Sequence, residues 1–266
     1  MPERAMYVVI GDDGWLRFTS RWRAPQLDLD LIGGPVAALQ RIRDQDKTYR
    51  WYDDIWTEAA ALVDQPNRIL LFFTRHCEDY AHRAAVLSIL AITWPGWQVR
   101  WAYDGIADLV AYLGLEDIEV RGSDVLIEPE PAELGMDQLV SVTREDGTTD
   151  AYGLELPVSE LFRWGPEHVE LIPDNAKVTA SEWMPRSGVH IDHRAKTVGV
   201  WTIDSLSGLS DAVAWPGWKV EIWEDRYTEQ LDRCDVTVPG WTLADGLRTL
   251  AARISTTTNL HHSETR

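Results

Sequence analysis

The tetrapeptide Trp94-Pro95-Gly96-Trp97 occurs a second time as Trp215-Pro216-Gly217-Trp218, and this recurrence determines how the chain divides. A run of similar pattern follows each copy, at residues 97–104 and 218–225, and both runs end in Asp. Proline cannot continue a helix, and glycine adopts the backbone angles that terminate one. Each copy therefore predicts the end of a helix followed by the start of a strand.

The similarity continues upstream of the tetrapeptide, where residues 63–74 align with residues 191–202. The matched pairs are Asp64 and Asp192, Arg68 and Lys196, Phe73 and Trp201, and Thr74 and Thr202. Both copies also begin with a β-rich run that leads into an Asp-Gly turn, at residues 13–14 and 146–147. Four similar blocks in the same order predict a tandem duplication, and we expect the two halves to pack as a pseudo-twofold pair. The repeated aspartates either fix the entry to a strand or belong to a symmetric binding feature.

Each half is predicted to be a small α/β or α+β unit whose mixed sheet combines a β-hairpin with a βαβ element. In the first half, strands are predicted at residues 6–10, 15–20, 69–73 and 99–103, and helices at residues 35–43, 78–92 and 106–113. A further helix is predicted to begin at Asp54 as its N-cap, with Ile55, Ala59 and Leu62 along its apolar side. The second half is predicted to repeat this plan, with strands at residues 139–142, 197–203 and 219–223 and a shorter helix near residues 206–213.

The boundaries of the units follow from the repeat. Residues 1–127 form the first predicted unit and residues 138–254 the second. Residues 128–137 are predicted to be a linker, because they are poor in periodicity and contain proline and glycine. Residues 255–266 are polar and rich in threonine, which predicts a flexible tail.

Charge and composition exclude several classes of partner. The 266 residues include 43 Asp and Glu against 25 Lys and Arg, a net charge of −18. Nucleic acids and anionic membranes both select basic surfaces, so we expect neither as a partner. The longest nearly apolar run, residues 84–92, is far shorter than the roughly 18–20 residues of a membrane span. The N-terminus lacks the apolar segment of a signal peptide, and two cysteines are too few for a disulfide scaffold. These features favour a cytoplasmic protein without a cofactor or metal ion, whose oligomeric state stays open.

The best-placed reactive residues are His76, Cys77, Glu78 and His82, which lie where a predicted parallel strand ends and a helix begins. Ligands of open α/β sheets bind at the carboxyl ends of the strands. A histidine here could act as a base, and a cysteine near a helix N-terminus could have a lowered pKa. The alternative is a capped helix start with solvated polar residues. The second half favours that alternative, because it has neither His nor Cys at the matching place.

An aromatic segment in the first half has no counterpart in the second and is our candidate recognition surface. It comprises Trp51, Tyr52, Asp53, Asp54 and Trp56. Tryptophan is enriched at the centres of protein interfaces, and acidic groups accelerate association with basic proteins. The repeated tryptophans, in contrast, fit a structural junction between helix and strand.

Two hypotheses of function follow, in different classes. The sequence contains no phosphate-binding loop, nucleophile elbow or metal-binding motif. The leading hypothesis is therefore a non-catalytic acidic binding protein that neutralises or sequesters a basic protein partner, similar to an immunity protein. The alternative is an enzyme or small-molecule-binding protein that uses a cleft between the two repeats near His76, Cys77, Glu78 and His82.

Overall fold

The computed structural model of the chain describes residues 3–115, 138–155, 161, 165–206 and 215–264. Residue contacts divide the chain into two compact units. Met1–Val120 and Trp241–Arg266 form the first unit, and Arg121–Gly240 forms the second. The sequence predicted that the second unit would extend to residue 254, whereas the residues from Trp241 onward group with the first. The predicted linker at residues 128–137 lies outside the described residues.

Six strands of the first unit form one mixed sheet. They are β1 (Ala5–Gly11), β2 (Gly14–Ser20), β3 (Asp46–Lys47), β4 (Ala59–Asp64), β5 (Ile69–Thr74) and β6 (Gln98–Trp101). Their order is β3-β2-β1-β4-β5-β6. Strand β1 pairs antiparallel with β2 and parallel with β4, while β5 pairs antiparallel with β4 and parallel with β6. The predicted hairpin and the predicted parallel pair are confirmed.

The predicted helix that begins at Asp54 is wrong, because Ala59–Asp64 form strand β4. The run Ala-Ala-Ala-Leu has a high intrinsic helix propensity. Here β1 and β5 flank it on both sides, and all six residues of β4 are buried. Tertiary pairing and burial therefore override the local preference.

Among the described residues before the second unit, four segments are α-helical. They are α1 (Leu27–Leu31), α2 (Pro35–Arg43), α3 (Tyr80–Thr93) and α4 (Ile106–Tyr112). Helix α2 begins at a proline, which has no N–H to leave unpaired in the first turn. Helix α3 begins after Asp79, whose carboxylate accepts the backbone N–H of His82 at 2.7 Å, and ends at Trp94 in the first tetrapeptide. The predictions for α2, α3 and α4 are confirmed within two residues at each end.

The second unit contains a five-stranded mixed sheet and one described α-helix. The elements are β7 (Gln138–Thr143), β8 (Thr149–Leu154), β9 (Ser187–Asp192), β10 (Thr197–Thr202), β11 (Lys219–Glu224) and α5 (Thr228–Leu231). The strand order is β11-β10-β9-β7-β8. Strand β7 pairs antiparallel with β8 and parallel with β9, while β10 pairs antiparallel with β9 and parallel with β11. Most of the helix predicted near residues 206–213 lies outside the described residues.

The order and directions of these five strands match those of β6-β5-β4-β1-β2 in the first sheet. The turns match as well. Each repeated aspartate accepts the backbone N–H three residues later, at 2.9 Å from Asp64 and 2.8 Å from Asp192. The residue that follows is left-handed in both turns, with φ of +53° at Arg68 and +51° at Lys196. The aspartates therefore stabilise equivalent turns.

The two tetrapeptides also have the same local structure. The rings of Trp94 and Trp97 pack edge to face with centroids 4.9 Å apart, and those of Trp215 and Trp218 with centroids 5.4 Å apart. The intervening glycine has φ of +77° in one copy and +79° in the other, a conformation that side chains disfavour. These four tryptophans belong to the junction that precedes β6 and β11.

Helix α6 (Leu243–Glu264) returns the chain to the first unit and packs against α3. The contact is close at Gly246, where an added Cβ would lie 1.8 Å from the carbonyl oxygen of Ala81. The sequence predicted a flexible tail at residues 255–266, and residues 255–264 form the last part of α6. The described residues thus form a mixed α/β structure with a six-stranded sheet, a five-stranded sheet and six α-helices. None of these helices combines the length and apolarity that crossing a membrane requires.

Candidate functional site

His82, on the first turn of α3, is fully buried and holds a structural network together. The backbone N–H of Glu78 donates to its Nδ1 at 3.0 Å, so the ring proton of the neutral imidazole lies on Nε2. Nε2 then donates to Asp28 Oδ2 at 3.0 Å. Arg253 of α6 forms an ion pair with the same carboxylate. Its Nη1 also lies 2.8 Å from Nε2, but both atoms are donors in this tautomer, so the carboxylate is the partner of each. Both ring nitrogens of His82 are therefore engaged.

His76 lies just after β5 and is paired with Glu58, which lies just before β4, through a 2.8 Å contact between Nε2 and Oε2. In the second unit, Arg186 lies just before β9 and Asp204 just after β10, and they form two-point contacts of 2.8 and 3.0 Å. The two bridges occupy equivalent places, but the acidic and basic partners are exchanged. An exchange of this kind suits a bridge between strand ends, and it would not preserve a catalytic base.

The other two predicted reactive residues differ in the exposure of their side chains. The Cys77 side chain is buried in the core of the first unit, while the Glu78 side chain is exposed. Within the part of the chain that the structure describes, no group of three or more His, Cys, Asp and Glu is arranged to hold a metal ion. The four candidate residues are thus neighbours along the chain with separate environments.

The aromatic segment forms a layered surface with arginines from other elements. The guanidinium carbon of Arg17 lies 4.7 Å from the ring centroid of Trp51 and 5.2 Å from that of Trp15. Arg17 Nη2 also donates to the backbone oxygen of Tyr49. Desolvation in this setting lowers the pKa of Arg17. Arg17 therefore connects strand β2 to the segment that follows β3.

A second layer is centred on Tyr52. The guanidinium carbons of Arg4 and Arg50 lie 4.2 and 5.3 Å from its ring centroid, and Arg4 lies 5.8 Å from the ring of Trp56. The attraction between a cation and an aromatic face at such distances contributes roughly 0.5–1 kcal/mol at exposed sites. We call the residues of both layers the arginine–aromatic surface. They are Arg4, Trp15, Arg17, Arg50, Trp51, Tyr52 and Trp56.

The two aspartates of the predicted segment contribute differently from its rings. Asp53 Oδ1 accepts the backbone N–H of Trp56 at 3.0 Å, so Asp53 shapes the turn that presents the ring. Asp54 is half-buried. The charged groups stacked on the rings are thus arginines, although the sequence led us to expect an acidic character for this segment.

The negative charge is concentrated in the second unit. Residues 121–240 include 23 Asp and Glu against 10 Lys and Arg, whereas the rest of the chain includes 20 against 15. A groove of about 520 Å³ in this unit is lined by Asp232 and Asp235. Its cations are already paired, Lys177 with Asp150 at 3.4 Å and Arg233 with Glu229 at 3.2 Å. Asp232 and Asp235 are exposed and have no ion-pair partner among the described residues.

The second sheet also contains a buried polar network that the sequence did not indicate. Ser141 and His190 face each other on β7 and β9, with Ser141 Oγ 2.8 Å from His190 Nδ1. Gln230 Nε2 donates to Ser141 Oγ at 2.9 Å, and Trp201 Nε1 donates to Gln230 Oε1 at 2.7 Å. Desolvation lowers the pKa of His190 to about 4, and the nearby Arg233 acts in the same direction. Both residues are buried, so the network belongs to the interior of the second unit.

Sequence reasoning missed the arginines of the arginine–aromatic surface. One signal was present, since Trp15 and Arg17 alternate on a predicted strand and therefore share a face. Arg4 gave no such signal, because its contact with Tyr52 spans distant parts of the chain. Comparison of the chain with protein-family models, curated proteins and solved structures gives no significant match.

Proposed function

We propose that this chain is a non-catalytic binding protein that sequesters a basic protein partner, in the manner of an immunity protein. The observation that carries the proposal is the concentration of acidic residues in the second unit, 23 against 10 basic residues. Acidic surfaces steer and orient basic partners during association. The groove with Asp232 and Asp235 offers two exposed carboxylates to a Lys or Arg of the partner.

The separate environments of the reactive residues also favour binding over catalysis. His82 uses both ring nitrogens within the first unit, and His76 is paired with Glu58. Catalysis needs a base within hydrogen-bond reach of a substrate.

We also propose that the two units arose by duplication of one ancestral unit. The shared strand order, the left-handed residues at Arg68 and Lys196, and the exchanged bridges support a common origin. Under this proposal the repeated residues are architectural, and recognition depends on residues that differ between the copies.

The binding proposal is tested by purifying the tagged full chain from lysate of the source cells at low salt and at about 0.5 M salt. We expect a basic protein to be retained at low salt and released at high salt. Binding of that protein is then measured by titration calorimetry with Asp232→Asn/Asp235→Asn, which should weaken it by about tenfold or more.

The matched control is Asp12→Asn/Asp13→Asn, which removes two neighbouring exposed carboxylates from the β1–β2 turn of the first unit. This variant should bind as the unmodified chain does. The proposal fails if no basic protein is retained, or if the two double variants weaken binding equally.

A further inference from the structure

The arginine–aromatic surface presents hydrogen-bond donors that have no acceptor. Arg17 Nε and Nη1 and Trp51 Nε1 are buried polar atoms without a hydrogen-bond partner among the described residues. A buried donor without an acceptor costs about 1–3 kcal/mol. A ligand that supplied acceptor oxygens at this place would remove that cost.

The arginines of this surface also lack carboxylate partners. Arg4, Arg17 and Arg50 form no ion pair with any residue that the structure describes, in a chain with 43 acidic residues. Arg17 has a partner of another kind, the backbone oxygen of Tyr49. Among the described residues, no carboxylate therefore neutralises these three arginines through a direct ion pair.

The arginines of this surface are held beside aromatic rings. The guanidinium carbon of Arg17 lies near the rings of Trp15 and Trp51, and those of Arg4 and Arg50 lie over the ring of Tyr52. A guanidinium group binds a carboxylate through N–H groups that lie in its plane. Stacking on the rings therefore fixes where these guanidinium groups lie, which lowers the cost of ordering them when a carboxylate binds.

We infer that the arginine–aromatic surface binds an acidic segment of a protein, in which carboxylates alternate with apolar or aromatic side chains. The carboxylates pair with the guanidinium groups of the three arginines. The apolar side chains pack beside Ile55 and Trp56, which are 51% and 46% exposed. Tryptophan, tyrosine and arginine are the residues that most often supply the binding energy at the centres of protein interfaces.

A protein segment fits this surface better than a nucleic acid does. Nucleic acid is a continuous polyanion, and its affinity depends on neutralising many phosphates with an extended basic face. Here the chain as a whole has a charge of −18, and the surface offers three arginines. A short acidic segment has few negative charges, so the negative charge of the chain repels it less than it repels a nucleic acid, and its apolar side chains add contacts. The inference concerns the first unit and does not depend on the basic partner proposed for the second.

The test uses the purified full chain and a short fluorescein-labelled peptide that alternates Glu with Leu and Trp, with fluorescence anisotropy as the readout. The same peptide with Gln in place of Glu is the first control. We expect the acidic peptide to bind about tenfold or more tightly than the Gln peptide at low salt. Equal binding of the two peptides overturns the inference.

The variants locate the site. Arg17→Gln/Arg50→Gln should lower the affinity for the acidic peptide by about tenfold or more, whereas Arg17→Lys/Arg50→Lys should retain part of it through charge alone. The matched control is Arg21→Gln, because Arg21 also stacks on an exposed tryptophan, Trp22, at 5.2 Å. Circular dichroism establishes that each variant is folded.

Two results would contradict the inference. The first is that Arg21→Gln weakens peptide binding as much as the double variant does, which would mean that any exposed arginine is sufficient. The second is that a single-stranded oligonucleotide binds more tightly than the acidic peptide, which would mean that the surface selects phosphates. Asp232→Asn/Asp235→Asn should abolish binding of the basic partner and leave peptide binding unchanged. That result would show that the two sites act independently.

Discussion

The buried pair of Ser141 and His190 predicts a specific acid sensitivity of the second unit. Burial lowers the pKa of His190 from 6.5 to about 4. The charge of Arg233 lowers this pKa further, and the charge of Asp192 raises it. The unfolded chain therefore binds a proton between these values and the folded chain does not. The stability that His190 contributes is present above pH 6.5 and is lost as the pH falls toward 4.

The magnitude follows from the two pKa values. Between pH 7 and pH 5, a shift from 6.5 to about 4 removes about 2 kcal/mol of the free energy of unfolding. In the first sheet, the equivalent register positions hold Val8 and Leu62. Ser141→Val/His190→Leu therefore transfers to the second sheet a pair that the first sheet already accommodates. Between pH 7 and pH 5, we expect the free energy of unfolding of this variant to fall by about 2 kcal/mol less than that of the unmodified chain.

The single variants separate titration from hydrogen bonding. Ser141→Val leaves His190 Nδ1 without its partner, which should cost about 1–3 kcal/mol at pH 7 while the pH dependence stays. In the double variant, Gln230 Nε2 keeps two acceptors, the carbonyl oxygens of Leu139 and Val189 at 3.0 and 2.8 Å. Its two hydrogens therefore remain satisfied.

The assay is urea unfolding at pH 7 and pH 5, followed by tryptophan fluorescence, with a nuclear magnetic resonance titration of the His190 ring. Differences between variants at one pH cancel the contributions of the other titrating groups. If the double variant and the unmodified chain lose the same free energy between the two pH values, or if His190 titrates near 6.5, the reasoning is refuted.

Three further outcomes are expected. Glu58→Arg and His76→Asp should each destabilise the chain by about 1 kcal/mol, and the double variant, which reproduces the Arg186–Asp204 arrangement, should recover most of the loss in a double-mutant unfolding cycle. Gly246→Ala should displace α6 from α3 and cost about 1–3 kcal/mol with faster amide exchange in α6, whereas Gly240→Ala, where no atom lies within 4 Å of the added Cβ, should have little effect. Burial raises the pKa of Asp108 to about 6, although the hydrogen bond from the Asp104 backbone lowers it. The stability that Asp108 contributes is therefore present below pH 3.8 and is lost as the pH rises through 6. Asp108→Asn should therefore raise the urea midpoint at pH 7 but leave it unchanged at pH 3.5.

The sequence predicted most regular elements of the first unit, because their signals are local. Pro35 marks the start of α2, the Asp-Gly turn marks the β1–β2 hairpin, and Trp94-Pro95-Gly96 ends α3. Strand β4 was missed for the opposite reason. Its alanines favour a helix, and only the pairing with β1 and β5, which is invisible in a local window, makes the segment a strand.

The candidate sites were harder to predict, since each depends on residues far apart in the chain. His82 bonds to Asp28 across 54 positions of the chain, and Arg253 bonds to the same carboxylate across 225 positions. Glu78 and His82 are four positions apart, and the contact that forms between them joins the backbone N–H of Glu78 to the ring of His82. No pattern within a single segment contains that information.

The equivalent positions of the two sheets separate architecture from recognition. Turn residues such as Asp64 and Asp192 have the same hydrogen bonds in both units, and the bridge of Glu58 and His76 keeps its place while its charges are exchanged. The arginine–aromatic surface has no equivalent among the described residues of the second unit, because Thr149 and Ala151 occupy the register positions that correspond to Trp15 and Arg17. A surface needed only for folding would be expected in both units, as the turns and bridges are. Its presence in one unit, beside the excess of acidic residues in the other, indicates that the units contribute different contacts, so variants at the two surfaces should fail independently of each other.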